Sequence, residues 1–172
     1  MIKTFLFVIL VVFFNFYTTF GQTSVISKVS SKITEKQLRK KIIEKKNGIS
    51  FYENIRNKVI AKDSLNFIGS CDTIFFLETY AIETGISYGR IWSSRKAISY
   101  EYFKDELTFR EISFFDVETL KLVQTWDINS IRKYESKYST MISPLTIYAS
   151  RVILNKGKIG VECVKFDEIF IR

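Results

Sequence analysis

Apolar residues dominate the first positions of the chain. One lysine, Lys3, precedes an unbroken apolar run from Phe5 to Phe14, and Asn15 ends that run. A helix that crosses a bilayer needs about 20 predominantly apolar residues, and this run has about half of that. The small residue Gly21 follows a few positions later, where a signal peptidase can cut. The pattern predicts a cleavable signal peptide over residues 1–21, with a membrane anchor as the alternative.

Residues 34–62 have the pattern of two helices joined by a tight turn. Each segment starts with a hydroxyl residue that is followed three positions later by Gln or Glu, the spacing of a capping box: Thr34 with Gln37, and Ser50 with Glu53. Asn47-Gly48 lies between them, where a left-handed residue ends a helix. Apolar residues four positions apart give each helix one apolar face: Leu38 and Ile42 in the first, Phe51, Ile55 and Val59 in the second.

The pattern changes to strands from Thr73 onward. Residues 73–82 are almost continuously apolar, which is typical of a central strand buried on both faces. Residues 86–92 and 97–103 predict a hairpin, and residues 107–115 predict a third strand after a polar turn. Strands that follow one another through short turns form a meander, so we expect an antiparallel sheet.

The rest of the chain predicts one inserted helix and a second hairpin. Residues 117–126 fit a helix and a strand equally well, whereas Asp127 can cap a helix over residues 128–138. After Pro144, residues 145–154 and 159–166 form a hairpin with Gly157 in its turn. We therefore expect a single α+β domain over residues 22–172, in which an N-terminal helix pair packs on an antiparallel sheet (meander plus C-terminal hairpin) with one inserted helix.

Charge divides this domain into two parts. Residues 22–68, the helical part, hold 11 Lys and Arg against 4 Asp and Glu, whereas residues 69–172, the sheet part, hold 14 of each. A basic segment on an exported chain can meet anionic lipid headgroups, an acidic polymer or an acidic envelope protein, and we do not expect nucleic acid as a partner. The alternative is a solvated lysine-rich helix face with no partner.

The absence of histidine restricts the chemistry more than any motif does. The chain has none, so it cannot form a Ser-His-Asp site, a Cys-His site or an imidazole-ligated zinc. It also lacks the glycine-rich motifs that hold nucleotides. We therefore predict no catalytic residue, no cofactor and no metal. The enzymatic alternative is a hydrolase that uses two carboxylates, with Glu78, Glu83, Glu101 and Glu111 as the acids among the strands.

The first predicted hairpin gives the most specific candidate binding site. If its turn has two or four residues, Trp92 faces Ala97, and the next pairs toward the strand ends fall on the same face. That face then carries Tyr88, Arg90, Trp92 and Glu101, which can stack a sugar ring or an aromatic peptide side chain while the charges orient it. The alternative is that the aromatic rings belong to the core.

Two cysteines remain after the predicted signal peptide, Cys71 and Cys163. An even number of cysteines in an oxidising compartment predicts a disulfide, and a loop of this length would stabilise the fold by roughly 4 to 5 kcal/mol. The alternative is two separate buried thiols that act as small apolar residues.

Together these features predict a secreted or periplasmic domain that binds or interacts and does not catalyse. Its partner is an acidic polymer, a glycan or an envelope protein, and no transmembrane segment remains after the signal peptide is cut. The alternative is the carboxylate hydrolase, acting on an envelope or extracellular polymer.

Overall fold

The computed structural model describes residues 28–43, 49–62, 71–81, 84–133 and 146–167. The predicted signal peptide and the Asn47-Gly48 turn lie outside this part of the chain. The described helices and strands, in chain order, are α1 (28–39), α2 (Ile49–Lys62), β1 (Cys71–Ala81), β2 (Ile86–Trp92), β3 (Ala97–Phe103), β4 (Glu106–Arg110), α3 (Val117–Thr125), α4 (Ile128–Arg132), β5 (Thr146–Asn155) and β6 (Lys158–Asp167). None of the helices among them is long and apolar enough to cross a membrane.

The six strands form one antiparallel sheet in the order β4-β3-β2-β1-β5-β6. The predicted meander and C-terminal hairpin are therefore confirmed, and the hairpin returns to pair with the first strand. β1 lies between β2 and β5 and is buried along most of its length, as its continuous apolar sequence predicts. Gly85 and Gly157 have positive φ angles of 65° and 78° in the turns that precede β2 and β6.

Helices cover both faces of the sheet. Alternate residues of a strand point to opposite faces, so each strand contributes to two cores. On one face, α1 and α2 pack on the sheet through Val29, Ile33, Ile55, Val59, Ile74, Phe76, Ile91, Tyr100 and Val152. On the other face, α3 and α4 pack through Leu77, Trp92, Phe115, Val123, Trp126, Ile131, Ile147 and Val164. The α+β class and the position of the N-terminal helices agree with the prediction.

The first helix begins earlier than the capping boxes predicted. Residues 28–39 are helical, so Thr34 lies inside α1 and is not its N-cap. Its Oγ1 donates to the Ser30 carbonyl four residues earlier at 3.2 Å. Likewise Ile49 is already helical, so Ser50 lies inside α2. Hydroxyl residues mark a helix start only where the chain before them is not helical, and their spacing alone does not reveal that.

The strand predicted over residues 107–115 is shorter in the structure, where it is β4. β4 ends at Arg110, and residues 111–116 leave the sheet and cross to the face that carries α3. The ring of Phe115 is buried there among the core residues, which the apolar pattern cannot distinguish from burial in a strand. Asp116 then caps α3 by accepting from the Thr119 N–H at 2.7 Å, so the segment that fitted both elements is a helix.

The inserted helical region comprises two short helices. Asp127 caps α4, as predicted, by accepting from the amides of Asn129 and Ser130 at 3.1 and 3.3 Å. The described helix ends at Arg132, and the remainder of the predicted segment lies beyond the described residues.

The predicted disulfide is absent, because the Cys163 thiol is free and buried. The strand register explains why. Cys71 pairs with Asn155 of β5, whereas Cys163 pairs with Ser150 of the same strand, five positions away. Five residues of a strand span about 16 Å, and a disulfide needs Cα atoms within about 7 Å. The backbone positions alone therefore keep the two cysteines too far apart to bond.

We expect the Cys163 thiol to be unreactive in the native protein. It is 1% exposed and accepts from Ser150 Oγ at 3.3 Å, and burial raises its pKa, which keeps it protonated. In a Cys71→Ser variant, which leaves Cys163 as the reporter, Ellman's reagent at pH 8 should react within minutes only after denaturant is added. Alkylation of the denatured native protein should label both cysteines without reductant. A requirement for reductant would restore the disulfide prediction.

Candidate functional site

The register of the β2-β3 hairpin matches the one predicted from the sequence. Trp92 pairs with Ala97, Arg90 with Ser99, and Tyr88 with Glu101. The Ser93 N–H donates to the Lys96 carbonyl at 2.8 Å and closes the four-residue connection. The four predicted binding residues therefore lie on one face of the sheet, the face that carries α3.

Each of these four side chains already has a partner within the chain. Trp92 is 8% exposed and stacks on Phe75, with ring centroids 5.3 Å apart. Tyr88 is covered by Phe114, whose ring lies parallel to it at 4.5 Å. The two charges are paired with neighbours on the same face: Arg90 donates to Ser99 Oγ at 2.8 Å, and Glu101 forms an ion pair with Arg110.

The loop 111–116 separates the four predicted binding residues, because it places Phe114 over Tyr88 and Phe115 in the core. Tyr88 and Glu101 remain at one end of the face, where burial and the neighbouring carboxylate raise the pKa of Tyr88. Trp92 lies at the other end, four strand positions away. Ligand binding by the four residues stays a prediction. Of the four, Trp92 lines a concave surface.

That concave surface is a depression of about 570 Å³ at the end of the sheet where β1 begins and β5 ends. The β2-β3 turn and the last part of α3 complete its wall. Its lining combines two stacked aromatic rings, aliphatic side chains and polar groups: Asp72, Thr73, Phe75, Trp92, Ser93, Ser94, Gln124, Ile153, Leu154 and Asn155. We call it the Trp92 depression.

Local hydrogen bonds hold the polar wall of the Trp92 depression in place. Asp72 Oδ1 accepts from the Thr73 N–H at 2.8 Å and from Ser94 Oγ at 3.5 Å, so the carboxylate joins β1 to the hairpin turn. Ser93 Oγ accepts from the Arg95 N–H at 3.2 Å within that turn. Ile153, 40% exposed, pairs with Thr73 and adds an apolar surface. A ligand would meet apolar side chains together with hydroxyl, amide and carboxylate groups.

The most strongly perturbed titratable groups lie elsewhere, between α2 and the sheet. Arg56 Nε is 3.1 Å from Glu78 Oε1, and both side chains are 0% exposed. The remaining guanidinium nitrogens donate to α1, which supplies three acceptors: the Ser30 carbonyl at 2.9 Å, Thr34 Oγ1 at 3.0 Å and Gln37 Oε1 at 3.1 Å. Arg56 therefore joins α1, α2 and β1.

The buried ion pair has a third neighbour, Tyr100, whose ring lies over a glycine of β2. Glu78 of β1, Gly89 of β2 and Tyr100 of β3 follow one another across the sheet. A Cβ on Gly89 would lie 2.2 to 2.3 Å from the Tyr100 ring, so the ring occupies the space above the glycine. From there the Tyr100 hydroxyl reaches Glu78 Oε1 at 3.4 Å.

This cluster is structural, because solvent and ligands cannot reach it. Burial raises the pKa of Glu78, and the Arg56 guanidinium beside it opposes that rise. Burial alone would lower the pKa of Arg56, and the Glu78 carboxylate together with Tyr80 and Tyr100 more than offsets this. An inaccessible carboxylate cannot act on a polymer, which removes Glu78 from the hydrolase alternative. Glu83 lies outside the described residues.

The Trp92 depression gives that alternative no support either. Of the residues that line it, only Asp72 is a carboxylate, and two are needed to hydrolyse a glycosidic bond. Within the described ranges, no group of three or more Cys, Asp and Glu residues could hold a metal ion.

The sequence contained a signal for the buried ion pair of Arg56 and Glu78, although the apolar pattern of β1 and α2 did not reveal it. Glu78 is the one charge inside an apolar strand expected to be buried on both faces, and a buried charge needs a partner. Arg56 lies four positions after Tyr52 and three before Val59, both buried, and hence on the inner face of α2. On α1, the inner face likewise holds polar residues three or four positions apart: Ser30, Thr34 and Gln37.

Comparison with protein-family models, with curated proteins and with solved structures finds no match for this chain.

Proposed function

We propose that this chain is an exported, non-enzymatic binding module that holds its ligand in the Trp92 depression. The observation that carries the proposal is the lining of that depression, which combines aromatic and aliphatic side chains with hydroxyl, amide and carboxylate groups. Ligand sites in proteins have volumes of about 300 to 1,000 Å³ and combine apolar walls with a few placed polar groups. A volume of about 570 Å³ lies within that range.

The lining favours a ligand with one apolar face and several hydrogen-bonding groups. A sugar ring has this chemistry, and so does an aromatic peptide side chain with its flanking amides. The wall offers a carboxylate acceptor at Asp72, hydroxyls at Ser93 and Ser94, and amides at Gln124 and Asn155. An exported protein meets glycans and peptides in the periplasm or outside the cell, so the predicted location is compatible with both classes of ligand.

We expect Gln124→Phe to abolish binding in the Trp92 depression. Gln124 is exposed on α3 and lines the depression, so a phenylalanine there fills the space without removing a core contact. The readout is saturation-transfer NMR with two panels of probes: neutral mono- and disaccharides, and N-acetyl amides of Phe, Tyr and Trp. At least one probe should bind the native protein, and the variant should lose about tenfold or more in affinity, which corresponds to about 1.4 kcal/mol.

Lys121→Phe provides the matched control. Lys121 is exposed on the same helix, one turn earlier, and does not line the depression. It should bind as the native protein does. Binding from one panel alone identifies the ligand class. The proposal is wrong if neither panel binds the native protein, or if the two variants lose affinity equally.

A further inference from the structure

The exposed side of α1 carries lysines at every fourth position. Lys28, Lys32 and Lys40 are exposed, and Lys36 between them is half-buried. Four residues of a helix rise about 6 Å, so the cationic groups form a line with about that spacing. Arg39 and Lys41 add charge at the C-terminal end of this line.

A narrow groove of about 130 Å³ separates α1 from β6. Its helical wall is mostly basic, with Lys32, Lys36 and Arg39, and also holds Glu35, while Ile159 and Val161 of β6 line it from the sheet. Further along, Lys40 Nζ donates to the Cys163 carbonyl of β6 at 3.0 Å. The helix therefore runs beside the last strand of the sheet, and an apolar surface lies beneath its charges.

β6 is the terminal strand in the described part of the sheet, with β5 on its one paired side. A terminal strand presents backbone N–H and C=O groups that can pair with an additional strand. Peptides are commonly recognised in this way, with backbone hydrogen bonds giving affinity and alternate side chains giving specificity. Same-face side chains of a strand are about 6.6 to 6.8 Å apart, close to the spacing of the lysines on α1.

We propose that an extended acidic peptide segment of a partner protein pairs with β6 beneath α1. Its acidic side chains, at every second position, point to the α1 face, where their carboxylates contact Lys32, Lys36 and Arg39 and their methylene groups pack on Ile159 and Val161. The segment adds a seventh strand to the sheet, with the basic helix beside it. The groove and the Trp92 depression share no lining residue, so the two interactions can be tested separately.

Three features favour a peptide over an acidic polysaccharide or a lipid surface. Ile159 and Val161 lie on the same face as the basic residues and contact the methylene groups of the acidic side chains, and a uniformly anionic polymer has few such groups. Glu35 stands among the basic residues and repels a ligand that is charged at every position. The strand edge also supplies hydrogen bonds that only another backbone can complete in register.

The test uses a fluorescein-labelled peptide with the repeat Glu-Val, measured by fluorescence anisotropy against the full chain without its leader. We expect binding that weakens as salt rises from 50 to 200 mM. The Lys32→Glu/Lys36→Glu variant should bind at least about tenfold more weakly, since like charges now face each other. A peptide that is N-methylated at alternate residues should not bind, because it cannot pair with the strand.

Two controls separate this proposal from general charge attraction. The Lys121→Glu/Lys133→Glu variant changes the net charge equally, at exposed positions on the α3 and α4 side, and should bind as the native chain does. A scrambled peptide with its glutamates and valines in two blocks should bind weakly. Equal binding of the scrambled or the N-methylated peptide would overturn the proposal. So would tight binding of heparin or anionic vesicles without binding of the alternating peptide.

Discussion

Arg56→Met is expected to lower the free energy of unfolding by about 3 to 5 kcal/mol, the usual cost of removing one partner of a buried ion pair. The substitution leaves the Glu78 carboxylate, 0% exposed, without its countercharge. It also removes the donor from the Ser30 carbonyl, Thr34 and Gln37 of α1. Urea unfolding followed by circular dichroism measures the loss.

The pH dependence of this loss identifies its cause. Arg56 lowers the pKa of Glu78, so its removal raises that pKa further above the unfolded value. A group with a raised pKa in the folded state favours folding below its unfolded pKa and loses that contribution as pH rises through the folded pKa. The variant should therefore lose more stability at pH 8 than at pH 5.

Adding Glu78→Gln to Arg56→Met should restore part of the stability, because no unpaired charge is then buried. It should also remove the additional loss at pH 8. A single-variant loss below about 1 kcal/mol, or one that does not change with pH, would mean that water reaches the Glu78 carboxylate.

Gly89→Ala should be the second most damaging substitution, with a loss of about 1 to 3 kcal/mol or more from overpacking. The new Cβ would lie 2.2 to 2.3 Å from the ring and hydroxyl of Tyr100, whose side chain is fully buried. Displacing that ring would also break its contact with Glu78. The same unfolding measurement gives the loss.

Gly160→Ala is the matched control in the same sheet. A Cβ there meets its nearest neighbours at 3.8 and 3.9 Å, which is ordinary contact, so the change should be neutral or slightly stabilising. The Tyr100→Val substitution empties the space above Gly89. In a protein that carries it, Gly89→Ala should lower the free energy of unfolding by less. A cost that is equal in both backgrounds would show that the ring is not the obstacle.

The predictions from sequence succeeded where local rules determine the outcome. The Trp92–Ala97 register follows from a short turn and strand alternation, and the Asp127 cap follows from one side chain and two amides. Gly85 and Gly157 marked their turns because each adopts a positive φ. Each of these features depends on residues close together in the chain.

The predictions failed where residues distant in sequence decide the structure. Thr34 has the spacing of a helix cap, but it lies inside α1 and accepts from Arg56, 22 positions away. A bond between Cys71 and Cys163 suits the composition, and the register of both with β5 forbids it. Trp92 faces the predicted side of the sheet, but the loop 111–116 and α3 determine what else lies there. No spacing rule predicts where a later segment crosses an earlier one.

The buried Arg56–Glu78 pair also has a consequence for how the layers align. Two apolar surfaces can slide past each other by a helical turn or a strand position and still bury much the same area. A guanidinium in one layer and a carboxylate in the other tolerate only the arrangement in which they meet, because every displaced arrangement buries two separate charges. We therefore expect the pair to favour one stacking of the helices on the sheet, whatever its net effect on stability.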